Sequence, residues 1–341
     1  MALKVIDILE TIRDNASDDY IARVPAYNLE NLSQVGKEIT SDKNIMNEFI
    51  TTLINKIALS NIISKMYNNP IEKLKSAGVP FGSTIEEIFV NPATDVGYQK
   101  DGSYLLKTTT PDGKTAYYGQ NRQSSYPTSI TEAQLNKAFT SESEFMSFYN
   151  VIISSLYSGD NIDEFTLFKR MLGKSIDEGT IKIVASDLSD TKALIKDITN
   201  HSKYFTFPNT AYCGYNNVNS AKIAAGETPC ITFCNTDDQV FLVRADVETE
   251  INFEYFASIF NIDIVKLRQM TIVVDDIPSE SADVYAVLCD KESIQIRDNV
   301  FKIETFYNGS NLTWNIWLHH WQFIFLSMFG NFVGFGKAKK A

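Results

Sequence analysis

The sequence predicts an α+β fold, and three observations carry that prediction. Apolar residues recur at helical spacing in two stretches, residues 41–57 and 141–172. From Thr180 onward the pattern changes to short apolar runs of strand type mixed with helical segments. Between the helical stretches lies a long segment, residues 78–128, that cannot fold on its own account: of its 51 residues only nine are Ile, Leu, Val, Phe or Met, while six are glycine, five tyrosine and seven threonine. Too little apolar surface is present there to offset the entropy of ordering the chain.

Residues 1–40 read as a polar arm with one short helical signal, Val5-Ile-Asp-Ile-Leu9. After Ser41 and Asp42, either of which can cap a helix, Ile45, Met46, Phe49, Ile50, Leu53, Ile54 and Ile57 form one helical face. Asn68-Asn-Pro70 turns the chain into the glycine-rich segment. There, residues 84–90 and 114–118 read as strands, with Asp112-Gly113 as a turn beside the second. A hairpin with so little core finds its burial on another molecule, which points to assembly. Thr131-Glu-Ala-Gln134 and Ser141-Glu-Ser-Glu144 read as capping boxes of two helices. Phe145, Phe148, Tyr149, Ile152, Ile153 and Leu156 line the second, which Gly159-Asp-Asn161 should kink or break before it resumes through Leu172. Beyond it a strand is expected at 181–185, a helix at 191–201, a hairpin of 228–234 with 240–245, a helix at 253–260, a buried strand at 270–275, and strands at 284–289, 293–297 and 301–307.

The chain has 341 residues, enough for two domains or one elaborated domain, and its 31 Lys+Arg against 42 Asp+Glu give a net charge of −11. Residues 180–290 hold 16 acidic and 8 basic side chains, a balance of −8 that repels nucleic acid rather than gripping it. The four cysteines (Cys213, Cys230, Cys234, Cys289) are irregularly spaced, and the opening residues lead into an acidic helix-like run rather than an apolar leader. A reducing cytoplasm with free, buried thiols is expected. The aromatic stretch 314–335 contains His319, His320, Gln322, Asn331 and two glycines, so it suits strands or a buried helix better than a membrane span.

Catalytic signals stay at background. G-x-S-x-G is absent. Gly330-Asn-Phe-Val-Gly-Phe-Gly336-Lys337 imitates a phosphate loop but has the wrong spacing, and Ala338 stands where Ser or Thr should bind magnesium. Cys230 and Cys234 lack the second pair a zinc site needs, which favours core packing. Asp275 and Asp276 follow an apolar strand, and Asp246, Glu248 and Glu250 alternate as a strand would, so either set could do acid–base work or merely blunt an edge.

Several motifs then stand in a telling order: Gly82-Ser-Thr-Ile-Glu-Glu-Ile-Phe89; Asn121-Arg-Gln123; Leu135-Asn-Lys-Ala-Phe139 with Phe145 and Phe148; Ala245-Asp-Val-Glu-Thr-Glu-Ile251 running to Phe256-Ala-Ser-Ile-Phe-Asn261; and His320-Trp-Gln322. No single one is specific. In this shared order, over residues 40–335, the chain resembles the major capsid proteins of small short-tailed phages of the phi-29 group.

The resemblance implies the Hong Kong 97 major capsid fold. Residues 1–75 would be the N-terminal arm with its helix, and 76–130 the E-loop hairpin. Residues 131–178 with 284–341 would form the peripheral domain around a spine helix, and 179–283 the axial domain. It implies a structural protein and no enzyme, with no cofactor and no metal site. Such a chain self-assembles through hexameric and pentameric capsomers into an icosahedral or prolate shell around double-stranded DNA. Its partners would be further copies of itself, a scaffolding protein and a portal or connector, with DNA nearby and no membrane. Its place would be the virion capsid, assembled in the cytoplasm of the bacterial host. Contacts between subunits are expected on the E-loop at Glu86, Glu87, Tyr98, Tyr104, Tyr117, Tyr118 and Arg122. Acid on the inner wall would let DNA slide. Relatives can carry an immunoglobulin-like domain after the shell fold; this sequence ends at Ala341, so no adhesion role is carried over, and no lysine–asparagine crosslinking motif is matched. The alternatives are another virion oligomer, a collar or tail ring, or a cytoplasmic hydrolase using Asp275, Asp276 or Glu248, which would need a deep pocket around those carboxylates.

Overall fold

The computed structural model describes residues 5–28, 30–53, 67–80, 84–98, 106–186, 191–250 and 270–339, together with positions 82, 100 and 102. Where the sequence suggested a polar arm with one helical signal, the chain opens with three short helices, α1 (Val5–Asp14), α2 (Asp18–Arg23) and α3 (Leu32–Ser41); the helix expected after Asp42 follows as α4 (Lys43–Thr52). The helical spacing on α1 continues past Leu9, and Val5, Ile8, Leu9 and Ile12 are all buried. Ser17 caps α2, and Asp42 caps α4 by accepting from the Asn44 N–H, each cap contributing about 1 kcal/mol. Ile54 and Ile57 lie outside the described residues.

Then follow β1 (Lys75–Ser76), β2 (Ile85–Val90), β3 (Gly113–Tyr118) and β4 (Arg122–Thr131). Gly113 belongs to β3 rather than to a turn. The capping box at Thr131 and Gln134 is complete and opens α5 (Glu132–Ala138). Ser141 accepts from the Glu144 N–H at the start of α6 (Glu142–Asp177). At 36 residues α6 is about 54 Å long. It runs unbroken through Gly159, Asp160 and Asn161, because tertiary contacts override their poor helix propensity. A Cβ on Gly159 would lie 3.6 Å from the Tyr126 ring, Asp160 is buried in an ion pair, and the Asn161 amide donates to the Tyr67 carbonyl at 2.9 Å.

Beyond it come β5 (Ile183–Ala185), α7 (Thr191–Phe205), α8 (Gly214–Val218), α9 (Ser220–Ala224), β6 (Gln239–Arg244), α10 (Ala245–Glu250), β7 (Thr271–Val274), β8 (Ala282–Asp290), β9 (Ile294–Asn308), β10 (Thr313–Leu326) and β11 (Phe332–Ala338). The expected hairpin of 228–234 with 240–245 does not form. Thr232 makes only an isolated bridge to Asn209, while β6 takes β7 as a parallel neighbour and β8 as an antiparallel one. The helix expected at 253–260 lies outside the described residues. The two strands expected at 293–297 and 301–307 are one continuous strand, β9.

Two compact units result. One comprises Met1–Asn69, Arg122–Phe165 and Asp298–Gln322; the other comprises Pro70–Asn121, Thr166–Arg297 and Phe323–Ala341. Boundaries at 75, 130, 178 and 283 therefore do not coincide with the partition. The opening helices share a unit with the first part of α6, and the final strand joins the sheet of the acidic segment.

In the first unit β4 pairs antiparallel with β10, from Thr131↔Thr313 to Arg122↔Gln322. Its core joins α1, α3 and α4 to the buried stripe Phe145, Tyr149, Ile152 and Leu156 of α6 and to Trp314, Ile316 and Leu318 of β10. Phe49, Phe139 and Phe145 form an aromatic cluster with centroids 5.5 to 6.4 Å apart. Gly36 is required beneath it, since a Cβ there would sit 2.3 Å from Phe139.

The second unit holds a five-stranded mixed sheet in the order β5-β11-β8-β6-β7. Its central strands are nearly all buried, reading as continuous apolar runs. Leu194, Ile195, Ile198 and Phe205 of α7 pack with Phe241, Val243, Leu288, Val333 and Phe335. All four cysteines are buried and free.

Candidate assembly surface on the hairpin arm

β2 and β3 form an antiparallel hairpin with Glu86 opposite Tyr117 and Phe89 opposite Lys114. Strand alternation divides its side chains between two faces. Ile85, Glu87, Phe89, Lys114, Ala116 and Tyr118 share one; Glu86, Ile88, Val90, Thr115 and Tyr117 share the other.

The first face is seated on its own unit, so the burial expected on another molecule is found in part within the chain. Phe89 stacks on Phe329 with centroids 5.3 Å apart, and Tyr118 stacks on Phe325 at 3.8 Å with the rings 12° from parallel. The Tyr118 hydroxyl donates to Glu87 Oε2 at 2.8 Å and accepts the Met328 N–H at 2.8 Å, while the Ser327 hydroxyl donates to Glu87 Oε1 at 2.5 Å. Burial first, and then the Glu87 charge, push the Tyr118 phenol well above its ordinary pKa, which keeps it a neutral donor. Lys114 is buried with Asp112 at 3.5 Å and Glu227 at 3.9 Å, and its ammonium lies 5.5 Å from the Tyr215 ring centroid. Asn91 closes the base: its amide donates to the Pro229 carbonyl at 3.0 Å, and its Oδ1 accepts the Ile231 N–H at 2.9 Å.

The second face is bare. Ile88 is 65% exposed and Tyr117 71%, and Val90 is exposed beside them. Among the described residues, Tyr117 and Glu86 meet there through a 3.0 Å hydrogen bond. Beyond Asn91 the arm carries Val96, Tyr98 and Leu106, also exposed, with Tyr98 at 87% and Leu106 at 93%. An apolar strip of this kind on an extended segment marks an interaction surface.

The expected contact residues therefore part company. Glu86, Tyr98 and Tyr117 are exposed on the arm; Glu87 and Tyr118 are half-buried against their own unit; Tyr104 lies outside the described residues. Arg122 is no surface residue. It opens β4 in the other unit, 4% exposed, with Nη2 2.5 Å from Asp160 Oδ1, 2.9 Å from the Asp160 carbonyl and 2.9 Å from the Tyr126 hydroxyl. Glu164, Gln322, His320 and Asp298 complete the cluster around Arg122 and Asp160. His320 and Gln322 are buried; the network joining them to Asp160 was not foreseen. Its signal was present, because Arg122 and Gln322 sit opposite one another in register, two residues from His320 on the same strand face.

The carboxylates weighed for catalysis are placed otherwise. Asp275 is tied to Lys169 Nζ at 2.5 Å. Asp246, Glu248 and Glu250 lie on α10, so they do not line one face of a strand, and Asp246 is clamped by Arg244 at 2.6 Å. Among the described residues, no group of three or more His, Cys, Asp or Glu side chains could hold a metal ion, and no helix is long and apolar enough to cross a membrane.

Comparison with known proteins gives a consistent picture. Residues 9–335 match the model of the Phi29-like phage major capsid protein family. The major capsid protein of Bacillus phage B103 is 30% identical over 336 residues, 96% of this chain and 72% of that protein. That of Streptococcus phage Cp-1 is 28% identical over 350 residues, covering 96% of this chain and 92% of the relative. Among solved structures, the capsid of Staphylococcus phage Andhra superposes with a TM-score of 0.65 at 14% identity, over 80% of this chain and 85% of the other.

Proposed function

This chain belongs to the Phi29-like phage major capsid protein family, and from that membership we propose how its hairpin arm builds the shell. The protein is a structural major capsid protein, not an enzyme, and copies of it form the icosahedral or prolate phage head. Its α+β fold is related to Hong Kong 97-like capsid structures. In our reading the β2–β3 hairpin with residues 91–112 is the E-loop. Its bare face, with Glu86, Ile88 and Tyr117, and its outer part, with Tyr98 and Tyr104, seat on a neighbouring copy. Glu87 and Tyr118 hold the arm's base at a fixed angle, and Arg122 supports the fold rather than the contact.

One observation carries this reading: the hairpin is pinned on one face by ring stacks and short hydrogen bonds, yet leaves an apolar strip exposed on the other. A rigid base with a sticky outer face is pre-organised for docking, which lowers the entropy cost of each contact. In a shell every copy repeats the contact, so moderate interfaces suffice. Hexameric and pentameric capsomers, a scaffolding protein, a portal and assembly in the host cytoplasm complete the proposal. An acidic inner wall would let packaged DNA move without sticking.

Replacing residues 97–107 by a short Gly-Ser linker tests the arm. The variant should stay folded, because the pinned base at Asn91 and Lys114 is untouched, but should sediment only as small species with or without scaffold. Normal particles from it would remove the arm from the assembly mechanism.

A further inference from the structure

Helix α6 crosses its least helical turn at Gly159, Asp160 and Asn161, and the side chain that secures that turn is titratable. His320 lies on β10, 2% exposed, with Nδ1 2.7 Å from Asp160 Oδ2 and 2.9 Å from Oδ1, and Nε2 3.0 Å from Asp298 Oδ1. Both ring nitrogens face carboxylate oxygens. A neutral imidazole has one N–H and would turn a lone pair on one of them; only the imidazolium donates to both. The charge count agrees. From α6 come Asp160 and Glu164, from β9 Asp298, and from β4 Arg122, so with His320 charged two cations meet three carboxylates. Around them stand Arg122 Nη1, 3.5 Å from Nδ1, the Tyr126 hydroxyl, which donates to Asp163, the buried Tyr157 beside Asp160, and the edge of the Phe301 ring, 4.9 Å from the imidazole.

We propose that His320 is a pH-operated latch. As an imidazolium it ties the weak turn of α6, through Asp160, to the two strands β9 and β10; when it gives up its second proton to solvent at raised pH, the tie is lost and that turn loosens. Burial by itself would pull the imidazole's pKa down, but the hydrogen bonds and charges of Asp160 and Asp298 more than offset it and lift it above the ordinary imidazole range. A group whose folded pKa is raised stabilises the native state fully below its unfolded pKa, about 6.5, and the contribution fades as pH climbs through the folded value. The latch is thus closed in acid and opens as pH rises through the folded value.

Two measurements on the full chain test it. Deuterium exchange at the imidazole C2 position, followed by mass spectrometry, reads the midpoint of His320 separately from His201 and His319. A value above about 6.5 is expected, the sign of a native preference for the charged ring; a value at or below the ordinary range overturns the proposal. Amide exchange over residues 157–164, corrected for its intrinsic pH dependence, should quicken by up to about tenfold per unit between about 6.5 and that midpoint and level off above it. His320→Gln should abolish this dependence, and exchange that ignores the titration contradicts the latch. Asp298→Asn provides a control that keeps the fold, since Asp298 is half-exposed. It should bring the midpoint down, and an unmoved midpoint again overturns the assignment.

Discussion

Arg122→Ala is expected to lower the unfolding free energy of the unassembled chain by about 3–5 kcal/mol. The guanidinium and the Asp160 carboxylate are 3% and 5% exposed, so truncation leaves Asp160 and Glu164 charged, buried and short of a partner. Five polar groups lose a donor or their orientation together: Asp160, Glu164, Gln322, Tyr126 and the carbonyl of Asp160. Removing both charges should be far milder. Arg122→Met with Asp160→Leu keeps the volume and removes the buried pair together, leaving Glu164 to the Gln322 and Asn69 amides and His320 to Asp298, so the double variant should recover part of the loss. Urea unfolding of the four proteins closes the cycle. A single-variant loss under about 1 kcal/mol, the value of an exposed pair, would show that the cluster is solvated.

The second large effect falls on assembly rather than on folding. Ile88→Asp combined with Tyr117→Asp should leave the stability of the free chain within about 0.5 kcal/mol, because both side chains are already exposed there. In the shell the same positions would place carboxylates inside an apolar contact. Burying one such apolar side chain is worth about 1.5–3 kcal/mol, and every copy repeats the loss. The concentration needed for assembly should therefore rise by more than tenfold, read by sedimentation with scaffold present. Assembly at wild-type concentrations, with the fold equally intact, would show that this face is not a contact.

How far these sites could be read from the amino acids depends on whether their causes are local. The cap at Asp42, the box at Thr131 and Gln134, and the strands at Ile85–Val90 and Gly113–Tyr118 follow from residues close together in sequence, and all were legible. Which face of the hairpin is seated and which is bare was not read: Glu86 with Glu87, and Tyr117 with Tyr118, were expected together as contacts, and strand alternation parts them. Phe325 and Phe329 lie some two hundred positions from Tyr118 and Phe89, and nothing local announces that stack. The same is true of Gly159, Asp160 and Asn161, which locally break a helix and are overruled by Tyr126, Arg122, His320 and Tyr67. Asp246, Glu248 and Glu250 misled for a different reason. Six residues with alternating charge fit a strand edge, but carboxylates in a helix's first turn are also favoured by its dipole, and Arg244 holds Asp246 there. Of the opening helices, α2 and α3 were missed because each is at most ten residues long, too short to stand on local propensity alone.

The arm is the centre of this account, and electron cryo-microscopy of particles assembled from the wild-type chain tests it most directly. The account predicts that residues 92–112 of each copy lie on a neighbouring copy, with Ile88, Val90 and Tyr117 covered by it and the base still stacked on Phe325 and Phe329 of its own chain. Shells in which every arm folds back onto its own subunit, leaving that face open to solvent, would contradict it.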